Sequence, residues 1–120
     1  MEKSDIAWPQ YVIYILVMLF VFFASTSKAQ ITATHFNAGW NSANDVSWFM
    51  ELKDCKTKGY TDIAKDTEAQ TKYKIAVVPT IIIFKDGEEV ARFQADLSFK
   101  MLATKEEVQD KISEIIMSDF

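Results

Sequence analysis

The stretch Thr80-Ile-Ile-Ile-Phe84 constrains this chain more than any other. Side chains of a strand alternate between the two faces of a sheet, so Ile81 and Ile83 point one way while Ile82 and Phe84 point the other. A strand that is apolar on both faces must be covered on both, which calls for helices on either side of the sheet. Asp86-Gly87 follows as a strong hairpin signal, and Glu88-Glu-Val-Ala-Arg-Phe93 reads as the antiparallel return strand. Thr104-Lys-Glu-Glu107 is a capping box. After it Val108, Ile112, Ile115 and Ile116 recur on one face of a terminal helix.

The pattern upstream is weaker. Ile31-Thr-Ala-Thr-His-Phe36 alternates and is β-branched, a strand. Asn37 to Asn44 is rich in Asn, Gly and Ser, a loop. Asp45 to Leu52 predicts a short helix with Val46, Phe49 and Met50 inward and Asn44 as its N-cap. Tyr60 to Ala64 reads as a minor strand. Asp66 to Tyr73 reads as a short helix with an acidic first turn, and Ile75-Ala-Val-Val-Pro79 leads into the central strand. The expected order is β-α-β-α-β-β-α, an α/β fold.

In front of this unit stands Tyr11 to Ala24, 14 residues without a charge. Counted back to Ile6 the stretch is 19 residues, interrupted only by Pro9 and Gln10, close to the ~20 that a membrane helix needs. Residues 1–30 are expected to be a membrane anchor with a short linker, and 31–120 the folded domain. Trp8, Tyr11 and Tyr14 sit where an interfacial aromatic belt would lie. Ser27-Lys28-Ala29 also resembles a signal-peptidase site. The expected location is a bacterial-type inner membrane, single-pass, with the domain on the periplasmic side; the alternative is secretion to the periplasm after cleavage at Ala29.

Charge and composition exclude several classes. Of 13 basic and 17 acidic residues, net −4, no basic run stands out, so a nucleic-acid partner is not expected. One Cys and one His exclude an internal disulfide and make a metal site improbable. Three scattered Gly cannot form a phosphate-cradling loop. No cofactor and no small-molecule substrate are expected.

The run Val77-Val-Pro-Thr-Ile-Ile-Ile-Phe-Lys-Asp-Gly-Glu-Glu-Val-Ala-Arg-Phe93 resembles the second half of thioredoxin. Phe36-Asn-Ala-Gly-Trp40 resembles the Phe-Trp-Ala-x-Trp that precedes its active site, and Ile63-Ala-Lys-Asp66 with Tyr73-Lys-Ile75 matches its central part. The resemblance covers about residues 31–116 and implies a thioredoxin-like fold lacking the first strand and helix, preceded here by one transmembrane helix. It also implies that Pro79 is the cis-proline. The backbone just before it, at Val78, would pair with bound polypeptide, with Trp40 flanking that groove.

The departure follows Trp40. Where the family has Cys-x-x-Cys, this chain has Asn41-Ser42-Ala43-Asn44, and His35 stands where the family buries an acid. An amide is neither a nucleophile nor a resolving thiol. The expected role is a membrane-anchored, redox-inactive binding or scaffold subunit of an envelope assembly, with other membrane or envelope proteins as partners. The alternatives are an atypical thiol–disulfide exchanger using Cys55 and a chaperone-like holder of exported polypeptides. Between the last strand and last helix the chain spends about eight residues more than thioredoxin. Leu97, Phe99, Met101 and Leu102 of that insertion are candidate partner contacts, or else patch the gap left by the missing elements.

Overall fold

A computed structural model describes residues 30–118. The expected anchor, Tyr11 to Ala24, lies outside the described residues. Among those described, no helix is long and apolar enough to cross a membrane.

Strands β1 (Ile31–Asn37), β2 (Thr57–Asp62), β3 (Thr80–Lys85) and β4 (Glu88–Gln94) form a sheet in the order β2-β1-β3-β4. β1 pairs with β2 in parallel, with Phe36 opposite Thr61. β3 runs antiparallel to both β1 and β4. The doubly apolar strand behaves as its alternation requires. Ile81 and Ile83 enter one core with Ile31, Ala33, Phe49 and Leu52, covered by helix α2 (Lys105–Met117) through Val108, Ile112 and Ile115. Ile82 enters a second core with Phe36, Ile63 and Ile75, covered by α1 (Thr67–Lys72) through Ala69. Asp86 and Gly87 both take positive φ, 52° and 87°, the pattern of a two-residue hairpin turn. Thr104 caps α2 by accepting from the Glu107 amide at 3.2 Å. Arg92 of β4 donates to the Tyr73 and Lys74 carbonyls at the end of α1, tying helix to sheet where carbonyls would otherwise be orphaned.

Four expectations need correction. The segment Asp45–Leu52 is not an α-helix. It holds one 3-10 turn, Phe49–Glu51, and a first 3-10 turn, Gly39–Asn44, lies just ahead of it. Val46 and Phe49 are buried as expected, but Met50 is exposed, because a three-residue turn cannot bring a second neighbouring side chain inward. Asn44 is not an N-cap; it ends the first turn, and its amide donates to Asn41 instead. The second strand is Thr57–Asp62 rather than Tyr60–Ala64. Its alternation is masked because this strand lies at the edge of the described sheet and buries little. The central strand begins at Thr80, with Ile75 and Val78 buried ahead of it.

On the α1 side of the sheet β1 and β2 present Thr32, Thr34, Thr57, Gly59 and Thr61, none of them fully buried, beside Phe36, which shares that face and is buried. Away from Phe36 this part of the face is short-chained and largely polar.

Candidate functional site

β1 carries the chain from Ile31 to the site end of the sheet, where Asn37 is fully buried. The 3-10 turn that follows folds back so that Asn41 lies 5% exposed beside it. Asn37 Nδ2 donates to the Asn41 carbonyl (3.2 Å) and to Asp45 Oδ1. Asn41 Nδ2 donates to Asn37 Oδ1 (3.0 Å), and Asn44 Nδ2 donates to Asn41 Oδ1 (2.8 Å). The same Asn41 nitrogen also reaches the Phe99 carbonyl (3.2 Å) and the Val78 carbonyl (3.4 Å). Three loops distant in sequence thus meet on one amide. Burial makes that network strict, since each polar group removed from water needs a partner. No buried side-chain polar atom among the described residues lacks one.

The residues expected at the groove converge here. The Val78–Pro79 peptide is cis, and both side chains are buried. Trp40 is 66% exposed and meets Phe99 edge-to-face, ring centres 5.2 Å apart. Ser42 and Ala43 lie between the two asparagines in the same turn. The inserted segment closes on itself: Ala95 pairs with Met101, Asp96 N–H donates to the Lys100 carbonyl, and Phe99 N–H to the Asp96 carbonyl. Ala95 N–H donates to the Pro79 carbonyl at 3.0 Å, which docks the segment on the site. Met101 packs on the core under α2, whereas Leu97 (91% exposed) and Leu102 (67%) face outward.

His35 is buried in β1 between the rings of Phe49 and Tyr60. Its Nε2 accepts from the Val46 amide at 3.5 Å. Burial lowers its pKa, opposed by the nearby Asp45 carboxylate, so the ring is neutral at pH 7. Cys55 lies at the other end of the sheet. Its neighbour Lys56 donates its backbone N–H to the Ile31 carbonyl, a full β1 length from Asn41, about 20 Å. Burial pushes the Cys55 thiol up, with Lys58 pulling it down and Asp54 adding to the rise.

Asn37 and Asp45 belong to this site, and sequence reasoning did not single them out. A signal was present: Asn37, Asn41 and Asn44 recur at 4 and 7 positions, the spacing that puts side chains on one side of a helical turn.

No protein-family model matches the chain. Over 69 residues it is 41% identical to "Thioredoxin Y1, chloroplastic" of Arabidopsis thaliana. That match covers 58% of this chain and spans only 39% of the relative's length. Among solved structures it is similar to Schistosoma mansoni thioredoxin, with a TM-score of 0.57 and 24% identity over 81% of this chain and 87% of that one. It is also similar to Fasciola hepatica thioredoxin, with a TM-score of 0.51 and 22% identity over 80% and 89%. The fold of this chain is thioredoxin-like, and its sequence resembles a thioredoxin over 69 residues.

Proposed function

We propose that the chain is a membrane-anchored thioredoxin-fold module without redox chemistry, acting as a binding or scaffold subunit of an envelope membrane assembly. The observation that carries this reading is the bond between the Asn44 and Asn41 side chains. A thiol–disulfide exchanger needs a low-pKa thiolate and a resolving thiol in reach of it. Here two amides fill those two places and spend their polar atoms on the fold. Cys55 does not replace them, being at the far end of β1 and shifted toward the protonated thiol. What the turn retains is an exposed indole beside a cis-proline, features suited to holding a polypeptide. Leu97 and Leu102 offer further apolar surface.

The anchor reading draws support from the sheet. An apolar helix folded back on the domain needs an apolar seat, and apart from Phe36, already buried in the α1-side core, β1 and β2 offer only threonine and glycine on that face. Tyr11 to Ala24 then buries its side chains in a bilayer instead.

The test is insulin reduction by the purified full-length chain with a thioredoxin reductase and NADPH. The expected rate is that of the protein-free control. Turnover that disappears in Cys55→Ser would replace this reading with the thiol-exchange alternative.

A further inference from the structure

The groove edge expected beside Pro79 is not open. Val78 and Pro79 are buried, and the Val78 carbonyl lies on the Asn41 amide. The Phe99 carbonyl shares that amide, and the Phe99 ring lies on Trp40. We propose that the Asp96–Lys100 turn is a lid occupying in cis the edge where an extended apolar polypeptide would add, with Asn41 as the latch. The proposal rests on the binding-module reading and states how that binding is regulated.

Three features make this turn a lid rather than a fixed part of the core. The first is its backbone. Phe99 sits at φ 65°, a left-handed conformation that is a true outlier for a bulky side chain. Such strain persists only where surrounding contacts hold it, and it gathers at moving or binding parts. The second is independence. The bonds from Asp96 N–H to the Lys100 carbonyl, Phe99 N–H to the Asp96 carbonyl and Ser98 N–H to Asp96 Oδ1 are internal to the turn. The turn can therefore swing as a unit about the Ala95–Met101 pair, which stays moored through Ala95 to Pro79 and through Met101 to the core.

The third is the latch. Asn41 Nδ2 has two protons and three acceptors, at 3.0, 3.2 and 3.4 Å. Releasing Phe99 leaves two protons for two acceptors, so opening orphans no buried donor. The exposed Phe99 carbonyl is rehydrated. An incoming extended chain supplies what the lid withdrew: a backbone carbonyl for the Asn41 amide in place of that of Phe99, and an apolar side chain for Trp40 in place of the Phe99 ring.

The test uses the full-length chain in phosphatidylcholine nanodiscs, with fluorescein-labelled, reduced and carboxymethylated lactalbumin as the extended polypeptide probe. Phe99→Gly removes the ring but suits the positive φ, so it weakens the lid without straining the turn. Losing one edge-to-face pair is worth roughly three- to tenfold, and the probe is expected to bind Phe99→Gly tighter than wild type by that factor. Saturating probe should also move the Trp40 indole N–H resonance of wild type toward its position in Phe99→Gly. Equal affinities, or binding that leaves the wild-type Trp40 resonance unmoved, overturn the lid and leave the binding module standing. Failure of the probe to bind either form overturns both.

Discussion

Two buried polar side chains set the chemistry of this domain, and their energetics can be stated residue by residue. Asn41 satisfies four neighbours at once. Replacing it with Ala strands the buried Asn37 Oδ1 and Val78 carbonyl, and should cost about 1–3 kcal/mol. Asn44→Ala removes one bond at a partly buried position and should cost less than half as much; thermal melts of the two variants give the comparison. His35 adds a pH dependence. Its pKa is lowered in the folded state, so below the ordinary value near 6.5 the unfolded chain binds a proton that the native chain refuses. Stability is therefore retained above that value and lost as pH falls, by up to about 1.4 kcal/mol between pH 7.5 and 5.5. Denaturant titrations at the two pH values should show this component in wild type and not in His35→Gln. That residues 41–44 hold two asparagines and no thiol is plain in the sequence. That Asn41 would become the hub is not, because the sequence does not reveal that the Val78 and Phe99 carbonyls converge on it.

At the scale of elements, what the sequence reveals tracks how much each element buries. β3, the hairpin turn and α2 were readable because burial on two faces or on one helical stripe writes an unbroken pattern. β2 and the 3-10 turns were misplaced because their positions follow from polar contacts. Lys58 Nζ, for example, donates to the Met50 and Leu52 carbonyls at 2.6 and 2.8 Å, holding the second turn without any apolar periodicity. The Asp86–Gly87 turn permits a sharp test. Nothing lies within 4 Å of a Cβ placed on Gly87, so only its φ of 87° opposes a side chain. Gly87→Ala should cost about 1–2 kcal/mol through left-handed backbone strain, read as a fall in denaturation midpoint at unchanged slope. At Gly59 a Cβ would meet Thr34 Oγ1 at 4.0 Å, an ordinary contact, and φ is not positive. Gly59→Ala should therefore be nearly neutral.

For the whole molecule, polarity along β1 decides how the proposed anchor and the site relate. The chain reaches the domain at Gln30, and the Trp40–Asn41–Pro79 cluster lies past the other end of the strand. A linker of about six residues, Ser25 to Gln30, would hold one pole near the bilayer and present the site roughly 20 Å further out. The insertion belongs to that outer pole, through Phe99 and Ala95. Of its apolar residues, Met101 packs on the α2-side core. If residues 1–29 are retained, the protein should remain in the membrane pellet through carbonate washing, and its intact mass should include them. A soluble form beginning at Gln30 would refute the anchor without touching the reading of the site.

The clasp at Gln30 has a mechanical consequence. Gln30 N–H donates to Asp86 Oδ1 at 3.0 Å, and the Asp86 N–H donates to the Gln30 carbonyl at 2.9 Å. Consider tension applied at this point along β1. Because β1 lies between β2 and β3, and ladder bonds run across the strand direction, the load falls on both ladders simultaneously. It does not peel them apart one rung at a time. A domain tugged from that side resists as a sheared joint does, and the hairpin turn clasped to Gln30 bears the first strain.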